Sequence, residues 1–159
     1  MSRTGRGRRR NGGFSLLELV IVVVIIGIIA AIAVPRLSRG AAGAADSALT
    51  GDLAVLRNAI DLFATEHGGT YPTVADIENQ LTQYTDAAGV VSATRDATHI
   101  YGPYLRKVPA MPVGDKKDGS KIAAADGAGV GWIYDAATGK IAANSTTEAD
   151  VRGTLYKDY

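Results

Sequence analysis

Cysteine is absent from this 159-residue chain. That excludes a disulfide framework, thiolate-ligated zinc, haem attachment through CxxC, a thiol nucleophile and a cysteine-borne lipid. Aromatic residues are scarce at 6%, and there are only two histidines, His67 and His99. They lie far apart in the sequence with no carboxylate arrangement to complete a zinc site. No P-loop, dinucleotide fingerprint, HExxH or GxSxG motif occurs, and His67-Gly68-Gly69 coincides with a helix stop rather than an oxyanion loop. The formal net charge of +1 conceals an uneven distribution. Arg3, Arg6, Arg8, Arg9 and Arg10 all precede Gly13 with no acid among them, so the remainder of the chain is net acidic. This is not the charge pattern of an ordinary cytosolic enzyme.

The apolar residues are as unevenly placed as the charge. Phe14–Val34 runs for 21 residues with Glu18 as its one charge. As a helix it would be about 31 Å long, close to the ~30 Å hydrocarbon thickness of a bilayer. A lone strand in lipid would leave its backbone unpaired, so helix is expected despite the many β-branched residues. The arginines directly before the span read as a targeting region rather than a nucleic-acid contact, and the positive-inside rule places that end in the cytoplasm. Ala31-Ile32-Ala33 loosely fits a signal-peptidase site, but the apolar run is longer than a signal peptide needs. Glu18 is the anomaly. An intramembrane carboxylate costs on the order of 2.5–3.5 kcal/mol at a helix centre, less near an end, so it either reaches the interface or finds a partner.

The residues Gly12-Gly13-Phe14-Ser15-Leu16-Leu17-Glu18-Leu19-Val20-Ile21-Val22, continuing to Val34-Pro35, resemble the prepilin cleavage and methylation motif of type IV pilins and type II secretion pseudopilins. The resemblance implies cleavage between Gly13 and Phe14 by a prepilin peptidase, N-methylation of Phe14, and pairing of Glu18 with the Phe14 amine of a neighbouring copy during assembly. Charge physics agrees with that implication. Cleavage creates a cationic amine within about one helical turn of Glu18, and opposite charges in a low dielectric are far better paired than alone. It also removes the five arginines. Pro35 removes one helical hydrogen bond and is expected to bend the helix.

Beyond Pro35 the pattern becomes amphipathic. Leu49, Leu53, Leu56, Ile60 and Phe63 recur at alternating spacings of four and three, one helical stripe, and Gly68-Gly69 stops it. The chain thus divides into four segments: a cationic leader (1–13), an apolar membrane or filament-core helix (14–35), an amphipathic helical half (36–67) and a small globular region (68–159). Thr73-Val74-Ala75-Asp76 reads as a helix cap, with Ile77, Leu81 and Tyr84 as the apolar face of a second helix. Thr85–His99 reads as a polar surface loop. Lys121–Ala124, Val130–Tyr134 and Lys140–Ala143 read as strands, with Trp132 and Tyr134 on one face and Ile133 on the other. The fold class expected is α+β: a long N-terminal helix packed on a small antiparallel sheet, the pilin fold.

The resemblance to pseudopilins extends loosely to Tyr71-Pro72, Tyr104-Leu105 and Gly131-Trp132-Ile133-Tyr134. It implies a non-enzymatic filament subunit in the bacterial inner membrane and then a periplasmic or extracellular fibre. Its partners would be copies of itself, minor pseudopilins, prepilin peptidase, the inner-membrane assembly platform and the secretion ATPase, with no nucleic acid. The lack of cysteine and the short globular region favour a secretion pseudopilus over an adhesive pilus. A pilin for adhesion, motility or DNA uptake, or a membrane-anchored extracytoplasmic binding module, are the alternatives. No cofactor is required. Some pseudopilins hold calcium, and Asp115, Asp118 and Asp126 are the candidate oxygen ligands, although solvated turn aspartates explain them as well.

Overall fold

The apolar stripe read from the sequence is the floor of the folded unit. The computed structural model describes residues 14–159, and its first element, α1, runs from Leu16 to Glu66. The chain divides into two compact units, one ending at Arg39 and one comprising Gly40–Tyr159. In the first, Leu16–Val34 carries apolar residues on every side and, apart from the partly covered Ala33, is exposed, and the helix continues through Pro35 without interruption. In the second, Leu49, Leu53, Leu56, Ile60 and Phe63 are each no more than 1% exposed. Burial of such side chains stabilises by about 1.5–3 kcal/mol each. The helix ends as the glycine pair requires. Gly68 takes φ +65° and Gly69 N–H bonds back to the Ala64 carbonyl at 2.7 Å, the six-to-one bond that closes a helix on a left-handed glycine.

The second helix is shorter than its sequence suggests. α2 covers Ile77–Thr82, and Asp76 caps it without a side-chain bond. Thr73–Asp76 forms a turn instead, and the Thr73 N–H goes to Gln80 Oε1 at 2.9 Å. Burial of Ile77, Gln80 and Leu81 sets the start of this helix, overriding the capping pattern. Tyr84 leaves the helix altogether. With Thr85 it forms β1 (Tyr84–Thr85), which pairs antiparallel with β2 (Val91–Ser92), so the stretch read as an irregular loop contains a small hairpin.

The main sheet comprises β3 (Lys121–Ala123), β4 (Val130–Asp135) and β5 (Lys140–Ala143) in that order. β4 and β5 are antiparallel, as the turn between them implies. β3 is not. It runs parallel to β4, so the sheet is mixed. Three residues of strand cover only about 10 Å, and the short connection to Val130 is long enough to double back over that distance without a helical crossover. The period-two reading of β4 holds, with Trp132 and Tyr134 buried to 0% and 1% and Ile133 only partly covered.

Both buried aromatics satisfy their polar atoms on proline carbonyls. Trp132 Nε1 donates to Pro109 O at 2.8 Å and Tyr134 OH to Pro72 O at 3.0 Å. The proline-containing passages are therefore fastened to the sheet through the acceptor that proline keeps. The sheet edges are covered too: Glu78 Oε1 accepts from Ile122 N–H at 2.8 Å beside β3, and Arg57 reaches Ile141 O at 3.4 Å beside β5.

This packing makes stability sensitive to one glycine and to one phenol. A Cβ at Gly131 would collide with the backbone of Gly119, whereas one at Gly127 would make an ordinary 3.6 Å contact with Val130. Gly131→Ala should cost at least about 2 kcal/mol and Gly127→Ala under ~0.5 kcal/mol, read by denaturant unfolding of the full chain in detergent micelles. Burial, aided by Tyr71 and Asp135, pushes the Tyr134 phenol up to about 12. The fold thus favours its neutral form. The stability contributed is intact below the unfolded phenol value of about 10 and is lost as pH rises from 10 to 12. The unfolding midpoint should be flat from about pH 8 to 9.5 and fall above 10, and Tyr134→Phe should lessen that fall, the rest coming from the raised phenols of Tyr104, Tyr156 and Tyr159.

Candidate functional site

The start of α1 brings together Phe14 and Glu18, two of the residues singled out for processing and assembly. Phe14 is 87% exposed and precedes the helix, which begins two residues later at Leu16. Glu18 lies in the first turn, and its Oε2 accepts from the Ser15 N–H at 3.0 Å. This is the backward arm of a Ser-x-x-Glu capping box, a local signal in Ser15-Leu16-Leu17-Glu18 that hydropathy and periodicity do not reveal. The carboxylate meets the positive end of the helix dipole, which favours an acid there. Glu18 therefore has a partner inside its own chain, one residue downstream of the amine that cleavage before Phe14 would create. Gly13 and the arginines of the leader lie outside the described residues.

Leu16–Val34 is long and apolar enough to cross a membrane, with a mean hydropathy of 3.2 and no part of it buried. An exposed apolar surface of that kind calls for lipid or other protein around it.

The calcium candidates do not assemble. Among the described residues no group of three or more His, Asp or Glu side chains could hold a metal ion. Asp126 is occupied by Lys116, whose Nζ lies 2.8 Å from Oδ1, and by Asn144 Nδ2, also at 2.8 Å. These bonds hold the Asp126 carboxyl below the usual carboxylate range. The Asp115 N–H donates to both oxygens of Glu148, at 2.9 and 3.0 Å. Asp118 sits in a turn at φ +68°, a backbone role that aspartate tolerates. An ammonium thus occupies the place where a cation would be sought. Asn144, within an Asn-Ser-Thr sequence, is 6% exposed and commits its amide to Asp126 and to Val130 O, so it is closed to modification.

The two histidines also go separate ways. His67 is buried, stacked on Phe63 at 3.8 Å, with Nδ1 at 2.8 Å from Phe63 O and Nε2 at 2.9 Å from Asp86 O. It fastens the end of α1 to the β1–β2 hairpin. His99 pairs with Asp96 at 2.8 Å in an exposed turn.

Residues 8–34 match the family described as the prokaryotic N-terminal methylation motif. The match covers Arg8, Arg9, Arg10, the Gly13–Phe14 junction, Glu18 and the apolar span, and it supports a type IV pilin-like reading of this segment. The motif family is structural rather than enzymatic, and the motif implies processing by a prepilin peptidase and polymerisation of pilin-like subunits. No curated protein and no solved structure matches the chain.

Calcium titrated into the full chain in micelles is expected to give no saturable heat at micromolar concentrations. A Kd of about 10⁻⁷–10⁻⁵ M, the range of sensor sites, would mean that Lys116 yields its place to the metal.

Proposed function

We propose that this chain is a structural subunit of a type II secretion pseudopilus, cleaved between Gly13 and Phe14, N-methylated on Phe14 and polymerised through α1 to promote protein export. The observation that carries the reading is the methylation motif over residues 8–34, laid on a helix whose first turn presents Glu18 beside the junction. The five arginines hold the leader in the cytoplasm, and the apolar span anchors the subunit in the inner membrane until it is withdrawn. The new Phe14 amine of an adjoining copy, a full charge, then competes with the neutral Ser15 amide for Glu18. In a dry surrounding the charged partner wins.

A second feature supports polymerisation through α1. In the Gly40–Tyr159 unit the helix face turned away from the core is exposed and uncharged along Ala44, Ala48, Gly51, Val55, Asn58 and Leu62. A helix face kept for water normally carries charges, whereas small and apolar residues alternating at three and four suit close packing against another helix. The absence of cysteine and a globular region of about 90 residues after Gly68 favour a secretion pseudopilus. A type IV pilin shares the motif and remains the second reading.

Mass spectrometry of the mature protein should find a first residue of N-methylated Phe14. Glu18→Ala should be cleaved normally yet lose assembly by at least about tenfold in shear or cross-linking assays, consistent with loss of a charge pair. Gly13→Asp should accumulate as full-length precursor. Normal assembly of Glu18→Ala, or a mature chain that keeps its arginines, would refute the reading.

A further inference from the structure

Among the described residues Asp46 is the one buried acid, at 8% exposure. No lysine, arginine or histidine of the described residues pairs with it. Both donors to its carboxylate come from the end of the chain: Tyr156 OH at 3.0 Å to Oδ1 and Val151 N–H at 3.5 Å to Oδ2. A carboxylate given one phenol and one long amide in exchange for water is poorly compensated. Lifting those donors away would let it rehydrate, which offsets part of the cost of opening.

The donating segment is built as a separate piece. Ala149 bridges Leu155, and the Asp150 N–H bonds Thr154 O at 2.9 Å. Asp150 Oδ1 accepts from the Arg152 and Thr154 amides at 2.8 Å, and its Oδ2 from Tyr159 OH at 2.6 Å. At its tip Val151 is 63% exposed. At its root Glu148 is pinned by the Asp115 amide and by Ser145 Oγ at 2.8 Å. A second foothold on α1 is Arg57, whose Nη2 donates to Tyr159 O at 2.5 Å. Asp46 and Arg57 are three turns apart, about 16 Å along the helix. The segment therefore holds its own shape, touches α1 by few polar contacts and adds only the partly buried Tyr156 and Tyr159 to the rim of the core, the make-up of a unit that opens locally.

We propose that residues 149–159 are a releasable strap, hinged at Glu148 and closed over α1 at Asp46 and Arg57, whose opening frees residues 43–50 of the helix in one local step. Tyr156 and Tyr159 also pack against the core, so opening uncovers its edge at Leu49, while the β4–β5 pairing stays formed. For a filament subunit, a consequence that rests on the function proposed above, this stretch of α1 can change partners while the sheet stays closed.

Hydrogen exchange read by mass spectrometry on the unassembled full chain in micelles tests the strap, whatever the outcome for filaments. Tyr156→Phe, which removes only the hydroxyl on Asp46, should speed exchange about tenfold in peptides from 43–50 and 149–159 together. Peptides from 53–64 and 121–143 should not change. Tyr159→Phe, which breaks the strap's internal bond to Asp150 and leaves every Asp46 contact in place, should give the same paired rise. A rise spread evenly over all peptides, a rise in 149–159 without 43–50, or no change in either variant would overturn the proposal.

Discussion

The Gly40–Tyr159 unit depends on one apolar stripe being kept dry. Leu49, Leu53, Leu56, Ile60 and Phe63 are too large and too closely aligned to face water, and the chain beyond Gly68 is arranged to cover them. A three-stranded sheet has little core of its own. Here it acquires one by setting Trp132, Tyr134, Ile122 and Ile141 in the same buried cluster as the helix. The short α2 adds Ile77 and Leu81 to that cluster. The proline-containing passages contribute buried side chains, Pro72, Leu105 and Met111 among them, and also the carbonyls that hold the two large aromatics by their polar atoms.

The N-terminal unit faces the opposite requirement. Its helix has no dry face and no wet one, because every side of Leu16–Val34 is apolar and exposed. Such a helix is stable only in lipid or among other helices. The single acid within it is held by its own helix end, through the Ser15 amide. That bond is adequate but neutral, so a cationic partner can displace it. On the function proposed above, assembly is an exchange of partners at this one carboxylate.

Polar groups elsewhere are closed off locally in the same way. Asp126 is neutralised by Lys116, while Glu148 is held by a backbone amide and a hydroxyl, and Asn144 by two oxygens. Of the acids that looked like cation ligands, Asp126 is thus tied up by an ammonium and an amide in holding the turns around the sheet. Asp46 departs from this pattern, since its charge is buried against donors from a distant segment only.

The amino-acid order determined by itself whatever repeats over a few residues. The membrane-length span, the 3.6-residue stripe, the glycine stop and the alternation of β4 are all spacings within one stretch of chain, and each stands where those spacings put it. The start of α2, the parallel pairing of β3, the Lys116–Asp126 bond, the burial of His67 and the strap on Asp46 were decided by tertiary structure. Each joins groups whose separation in sequence carries no period: Tyr156 reaches Asp46 across 110 residues, and Glu78 reaches Ile122 across 44. A capping pattern or a cluster of aspartates states what a residue can do locally. Which of those options is used depends on what the packed core brings within hydrogen-bonding distance.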